Sequence, residues 1–387
     1  MEQLLEAVER LYPDMVGWRR YLHQHPELSY CEKETAIFVA RKLREWGLEV
    51  QTGVGGHGVV ARLKGNGSGP TVALRADMDA LPIQDEKLTE YASKAKGIMH
   101  ACGHDAHTST LLGVAKAMSE HRSLLKGDVV FLFQHAEELS PGGANSMIEA
   151  GALDGVDYVY GIHLWTPLPV GTAYSRSGAM MAAADEFEIT VTGKGGHGGL
   201  PHETVDSIVT ASQLVVNLQT IVSRNVSPTE PCVVSVGSFH SGTSFNVIAE
   251  TAALTGTVRT FDPELRMEVK KRVEEVVEHT CHMAGADYKV DYKLGYPPVI
   301  NHDAEVERFF RAGSKVVPCE PLALVMAGED FSYYLHHRKG CFMFVGAGNK
   351  EKGIIYPHHH PRFDIDETSM LHAARLFVSM VMDCQKG

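Results

Sequence analysis

Apolar positions change their spacing several times along the chain. From residue 2 to about 23 they recur at helical intervals, which predicts an amphipathic helix broken or restarted at Pro13. A second helix is predicted from about 32 to 46, with Gly47 as its stop. Short apolar runs at 58–63 and 71–75 then predict strands, separated by the turn-forming stretch Gly65-Asn66-Gly67-Ser68-Gly69-Pro70. A helix from about 106 to 120 leads into the apolar run 128–133. A short helix near 145–149 precedes another run, 158–163. Strands alternating with helices at this spacing predict an α/β fold with a mostly parallel sheet covered on both faces.

The pattern changes near Gly178. Strand 186–191, helix 205–223, strands 232–239 and 249–259, helix 263–284 and strand 288–292 follow in the order βαββαβ. That order is the ferredoxin-like split unit. After Gly295-Tyr296-Pro297-Pro298 the helix–strand alternation resumes, with a strand at 341–345 and a closing helix at about 368–384. The expected organisation is one discontinuous domain, residues 1–178 and 295–387, interrupted by an inserted domain at 179–294.

Composition narrows the class. The 387 residues, with 44% hydrophobic and 22% charged side chains, suit a water-soluble protein of two cores. No apolar run reaches membrane-spanning length, and the start Met1-Glu2-Gln3-Leu4 lacks the basic, apolar pattern of a signal peptide. A cytoplasmic location is expected. The net charge of −12 argues against nucleic acid or an anionic membrane as a partner. Seven cysteines show no repeated spacing, so they are expected to be reduced. The 21 histidines change the picture most, because several cluster with Cys, Asp and Glu.

His100-Ala101-Cys102-Gly103-His104-Asp105-Ala106-His107 offers soft, borderline and hard metal donors within eight residues. Gly103 would let the backbone bend so that Cys102 and His104 face one point. Standing just before a helix, Cys102 is expected to favour the thiolate. The strand 128–133 runs into Gln134-His135-Ala136-Glu137-Glu138, and carboxylates at such a strand end need compensation for their charge. Adjacent residues point in different directions, so one carboxylate can bind a metal while the other acts as a base. Tyr160-Gly161-Ile162-His163 reads as a strand ending in a histidine. Arg75-Ala76-Asp77-Met78-Asp79 ends a strand in two acids, and Tyr356-Pro357-His358-His359-His360-Pro361 adds a histidine loop. Together these place donor residues at the C-terminal ends of several strands of one parallel sheet, where open α/β sheets put their sites. A pair of metal ions with a free glutamate beside them would hydrolyse an amide. Cys102 as a nucleophile with a histidine base is the competing mechanism.

These motifs resemble the aminoacylase, hippurate hydrolase and auxin-conjugate hydrolase branch of the co-catalytic metallo-aminoacylase/carboxypeptidase superfamily. The likeness extends through Trp18-Arg19-Arg20-Tyr21-Leu22-His23-Gln24-His25-Pro26-Glu27-Leu28, Gly193-Lys194-Gly195-Gly196-His197-Gly198, Phe245-Asn246-Val247-Ile248 and Gly328-Glu329-Asp330-Phe331. The resemblance implies a catalytic α/β domain interrupted by a lid or dimerisation domain. It implies that Cys102 bridges two metals, that His104 and His163 complete one site, and that Glu138 and a C-terminal histidine complete the other. The family spacing to a proline selects His359, with His358 and His360 one position away. Glu137 would be the general base and Asp79 would orient a metal ligand. His197 would reach a neighbouring subunit's site to stabilise the oxyanion, and Asn246 and Arg259 would hold the substrate carboxylate. Asp77 replaces a metal-binding histidine of other branches, and His135 stands where close relatives carry proline.

The expected activity is metal-dependent hydrolysis of N-acyl amino acids, with an N-acetyl or aromatic acyl group, on two divalent ions. Zinc, manganese, cobalt and nickel all suit the donor set. A homodimer or homotetramer through the inserted domain is expected. A dipeptidase or carboxypeptidase on the same metals is the alternative hydrolase. A non-catalytic metal-dependent binding protein and a thiol sensor centred on Cys102 are readings from other classes.

Overall fold

The near-continuous apolar runs form the interior of a sheet whose two faces are both covered, so every side chain along them has apolar company. The computed structural model describes residues 1–386. The chain divides into two compact units. The first contains Met1–Met180, Ile300–Ala323 and the residues from Asp330 onward, and the second contains Met181–Val299 and Leu324–Glu329.

In the first unit an eight-stranded sheet has the spatial order Glu49–Val54, Gly58–Leu63, Gly127–Gln134, Gly69–Asp77, Tyr158–Pro169, Lys339–Gly348, Ala173–Ser175, Cys319–Pro321. The four central strands, from Gly127–Gln134 to Lys339–Gly348, are mutually parallel. The two strands at the first edge join antiparallel. Alternate strand residues serve opposite faces. Val72, Leu74, Phe131, Phe133, Ile162 and Met343 enter one large core that also takes in the helices His104–Glu120 and Thr368–Cys384. On the Lys339–Gly348 strand, Phe342 packs against Phe331 in a tilted arrangement, with ring centroids 4.9 Å apart.

The structure departs from the sequence expectations for this unit in its short peripheral strands, Ala173–Ser175 and Cys319–Pro321 among them, and in the strand of His163. The strand Glu49–Val54 was not foreseen. It is an edge strand with mostly exposed residues, so it carries no apolar period. The strand containing His163 does not end there but continues to Pro169. Its neighbour Gly69–Asp77 stops early, while pairing with Lys339–Gly348 carries it onward. His163 therefore projects from within a strand, beside the ends of its shorter neighbours.

The second unit is built on a four-stranded antiparallel sheet in the order Cys232–Ser241, Thr251–Thr260, Ala184–Thr192, Asp287–Tyr296. With helices Ser207–Thr220 and Pro263–Ala284 between the strands, this is the βαββαβ arrangement. Phe187, Ile189 and Val191 point inward against Leu214, Leu218, Val273 and Val277, and the intervening residues face outward. Asp206 caps the first helix by accepting from the amides of Ile208 and Val209. A small two-stranded ribbon pairs Gly196–His197 with Val247–Ile248. Among the described residues, no helix is long and apolar enough to cross a membrane.

Candidate metal centre

The turn before the long helix does the first piece of positioning. Gly103 caps that helix at φ +94°, a left-handed conformation that suits glycine. The bend puts Cys102 and His104 on the same side, and with His163 their donor atoms lie within 4.8 Å of one another. Cys102, Glu138 and His359 form a second such group. Cys102 belongs to both, so its sulfur is shared by two sets of three donors.

Each imidazole is oriented by a backbone or carboxylate partner that can only accept. His104 donates from Nδ1 to Asp79, at 3.0 Å to the carbonyl and 3.2 Å to Oδ1. This leaves Nε2 buried and without a hydrogen-bond partner. Asp77 Oδ2 and Glu138 Oε1 lie 3.8 Å from that nitrogen, and Glu137 Oε2 lies 3.9 Å away. His163 donates from Nδ1 to Leu164 O at 2.9 Å, so its Nε2 lone pair faces Cys102 Sγ at 3.4 Å. Asp79 also accepts from Ser29 Oγ at 2.7 Å and from the Glu138 amide at 2.9 Å, tying two donor-bearing segments together.

Only one of the three consecutive histidines faces this cluster. His359 has φ +63°, and its Nε2 is 3.4 Å from Glu138 Oε2. His358 packs edge-on against His163, with ring centroids 5.2 Å apart, but donates its Nε2 proton to Leu164 O at 3.0 Å and stacks on Trp165. His360 stacks on Tyr356 and accepts from the Arg362 amide.

Two further nearby groups differ in kind. His107 donates to Asp77 Oδ1 at 2.7 Å and accepts from the Leu164 amide at 2.9 Å, so both ring nitrogens are engaged. Asp77 is held by His107 and by Arg75 Nη1 at 2.6 Å. Arg75 in turn reaches Gln134 and Asp330. These residues brace the strand ends, although Asp77, His104 and His107 also bring three donor atoms within 4.8 Å of one another. Their motifs were legible in the sequence, but this bracing was not, because it joins strands remote along the chain.

The electrostatics of the cluster favour a cation. Burial opposes a charge on His104, but Asp77, then Asp79 and Glu138, outweigh it and push its pKa up to about 10. Burial holds the Cys102 thiol well above its ordinary range, and Glu138, Glu137 and Asp77 add to this. This corrects the expectation of a thiolate favoured by the helix start, because the carboxylates and burial overwhelm that effect. A raised thiol pKa weighs against a metal-free nucleophile or thiol sensor at Cys102. Burial, with His107 and His358, keeps His163 well below its ordinary range and so neutral. All seven cysteines are free.

The residues fit a pair of divalent cations. The donor set mixes sulfur, nitrogen and carboxylate oxygen, and both His104 Nε2 and Glu138 Oε1 are buried without hydrogen-bond partners. A cation would serve both atoms and offset the surrounding carboxylates.

The sequence candidates in the inserted unit lie on two elements. His197 pairs across the small ribbon with Val247, and the Gly198 amide donates to Asn246 O at 2.8 Å, so His197 and Asn246 are neighbours. His197 Nδ1 accepts from the Gly199 amide, which leaves Nε2 for an outside partner. Arg259 lies on the separate strand Thr251–Thr260, half-buried, with Nη1 turned back to Val258 O.

Comparison with known proteins agrees with this geometry. Residues 73–383 match the model of Peptidase family M20/M25/M40. An N-acyl-L-amino acid amidohydrolase of Geobacillus stearothermophilus is 50% identical over 302 residues, covering 78% of this chain and 82% of that protein. Thermostable carboxypeptidase 2 of Saccharolobus solfataricus is 42% identical, covering 95% of this chain and 94% of that protein. The crystal structure of the Bacillus subtilis YXEP protein, described as a dinuclear metal binding peptidase from the M20 family, superposes with a TM-score of 0.85. It is 34% identical and covers 98% of this chain and 99% of that one. The donor cluster at the strand ends and these likenesses lead to one conclusion: the chain belongs to Peptidase family M20/M25/M40 and is a hydrolase of amide bonds.

Proposed function

We propose that the chain hydrolyses N-acyl amino acids to a carboxylate and a free amino acid. The observation that carries this reading is the pair of three-donor groups sharing Cys102, with the Glu137 carboxylate beside them. Cys102 would bridge two cations, with His104 and His163 completing one site and Glu138 and His359 the other. When bound, the two ions supply Lewis acidity to the scissile carbonyl and to a water molecule. Glu137 takes the proton from the attacking water and returns it to the departing nitrogen. Asp79 holds the His104 ring by its Nδ1 proton.

From the inserted unit, His197 would reach a neighbouring subunit's site to stabilise the oxyanion, and Asn246 and Arg259 would hold the substrate carboxylate. Support for these roles comes from the family motifs, the exposure of His197 and Asn246, and the adjacency of those two residues. The 50% identity with an N-acyl-L-amino acid amidohydrolase supports an N-acyl substrate. The exposed apolar positions Val209 and Val216 on the helix Ser207–Thr220 support a homo-oligomer through this unit.

The likeness to a carboxypeptidase favours one competing reading, in which the same centre cleaves peptides. Release of free amino acid from a panel of N-acetyl and N-aroyl amino acids, run beside a panel of dipeptides, separates the two. Faster turnover of the acyl panel is expected. Turnover confined to dipeptides would replace the amidohydrolase reading with the peptidase one.

A further inference from the structure

Residues 27 to 32 form a strap that touches the segments carrying Asp79 and the two glutamates at several points. Leu28 bridges to Ala80, and the Ala80 amide donates to Glu27 O at 2.8 Å. Ser29 Oγ donates to Asp79. Tyr30 adopts φ +64° and donates to Leu139 O, while accepting from the Gly142 amide. Glu32 is fully buried, and its Oε1 accepts from the Ala136 amide at 2.7 Å, across 104 residues of sequence.

Ala136 is the corner at which the strand Gly127–Gln134 turns into the two glutamates. Its φ of +52° is uncommon for a residue with a side chain. Such a conformation persists only where its surroundings hold it. Two carboxylates grip this corner through the backbone: Glu32 on the Ala136 amide and Asp79 on the Glu138 amide. Glu137 lies between these two anchor points. The second Glu32 oxygen is buried without a hydrogen-bond partner, so the side chain is not kept there by a salt bridge.

We propose that Glu32 is a positioning residue that holds the left-handed corner at Ala136 and so aims Glu137 at the reacting water. The proposal rests on the reading of Glu137 as the base. It requires an acceptor at Oε1 and no charge. Burial, then the neighbouring charge of Asp79, pushes the Glu32 carboxyl up to about 7. Its neutral and ionised forms both accept from an amide, and a glutamine oxygen does so equally well.

The test uses the full chain, loaded with zinc or manganese, as wild type, Glu32→Gln and Glu32→Ala. Three quantities are read: bound metal, kcat and KM on an N-acetyl amino acid, and hydrogen exchange of the peptide spanning residues 134–143 in metal-free protein. Glu32→Ala is expected to keep two metals and a nearly unchanged KM, to lose about 10- to 100-fold in kcat, and to exchange faster in that peptide. Glu32→Gln is expected to match wild type in all three. If Glu32→Ala does not fold, Glu32→Asp carries the same expectation, because its carboxyl is one methylene short of the amide. Unchanged exchange and kcat in the shortened variant would overturn the proposal, as would a Glu32→Gln variant as impaired as Glu32→Ala. Loss of metal in step with kcat would also overturn it by reducing Glu32 to support of the ligands. Inactive wild type with faster exchange in Glu32→Ala would instead sink the N-acyl reading and leave the corner's anchor standing.

Discussion

The backbone of one residue, Leu164, organises three imidazoles here. Leu164 accepts from His163 and His358 through its carbonyl and donates to His107 through its amide. Histidines in the same neighbourhood thus take different jobs according to which nitrogen is engaged. The sequence motifs exposed the donor types because Cys, His and Glu crowd into short stretches. The family spacing selected His359 over His358 and His360 to within one position, and the structure turns that ring toward Cys102 and Glu138 from a left-handed backbone. Glu32 was not visible as a partner of Ala136, because nothing local links residues so far apart.

Two residue-level outcomes follow. Glu137→Gln is expected to retain two metals while losing about 100- to 10,000-fold in kcat, read by elemental analysis beside steady-state kinetics. Full activity in that variant would remove Glu137 as the base. The second concerns protons. His104 has its folded pKa raised to about 10 from an ordinary 6.5, and Cys102 is raised as well. A raised pKa contributes stability that is complete below the unfolded value and lost as pH climbs through the folded value. Metal-free protein should therefore lose stability from about pH 6.5 toward pH 10. Metal binding must displace those protons and part of one on His359, whose pKa Glu138 also raises, so affinity should rise with pH and loading at pH 7 should release at least about two protons. Calorimetry in buffers of different ionisation enthalpy measures that number, and zero release would contradict the charge states described.

Elements differ in how plainly they could be read. The helices Pro263–Ala284 and Thr368–Cys384 carry a sustained helical period, and the structure ends them at the expected residues. The edge strand Glu49–Val54 and the far half of Tyr158–Pro169 are set by pairing with neighbours, which leaves little local trace. The turn at Gly103 joins element to site. A Cβ there would meet nothing closer than 3.6 Å, so the cost of Gly103→Ala is backbone strain at φ +94°. About 1–2 kcal/mol of destabilisation is expected, together with weaker metal retention against a chelator. Asp206→Ala is the contrasting change. Losing that helix cap should cost about 1 kcal/mol and leave metal content untouched. Metal retention unaltered in Gly103→Ala would show that the turn does not aim the ligands.

At the scale of the molecule, the change from mixed helix–strand alternation to the βαββαβ pattern was legible because the hydrophobic period itself changes. The contribution of Leu324–Glu329 to the second unit was not, since a short return of the chain has no periodic signature. The first unit gathers its site from segments at both ends of the chain, from Asp79 to His359. Cations bound there should therefore link distant segments. Chelation is expected to lower the melting temperature, since a ligand at a thousandfold excess over its Kd adds about 4 kcal/mol of stability. An unchanged melting curve after verified metal removal would speak against a centre built by these segments.

The most direct measurement is a titration of metal-stripped protein with zinc or manganese while free amino acid released from an N-acetyl amino acid is followed. Activity should be absent at the start, return with added metal, and level off at about two equivalents per chain. Activity that needs no metal, or that reaches its plateau at a single equivalent, would contradict a centre in which Cys102 joins two ions.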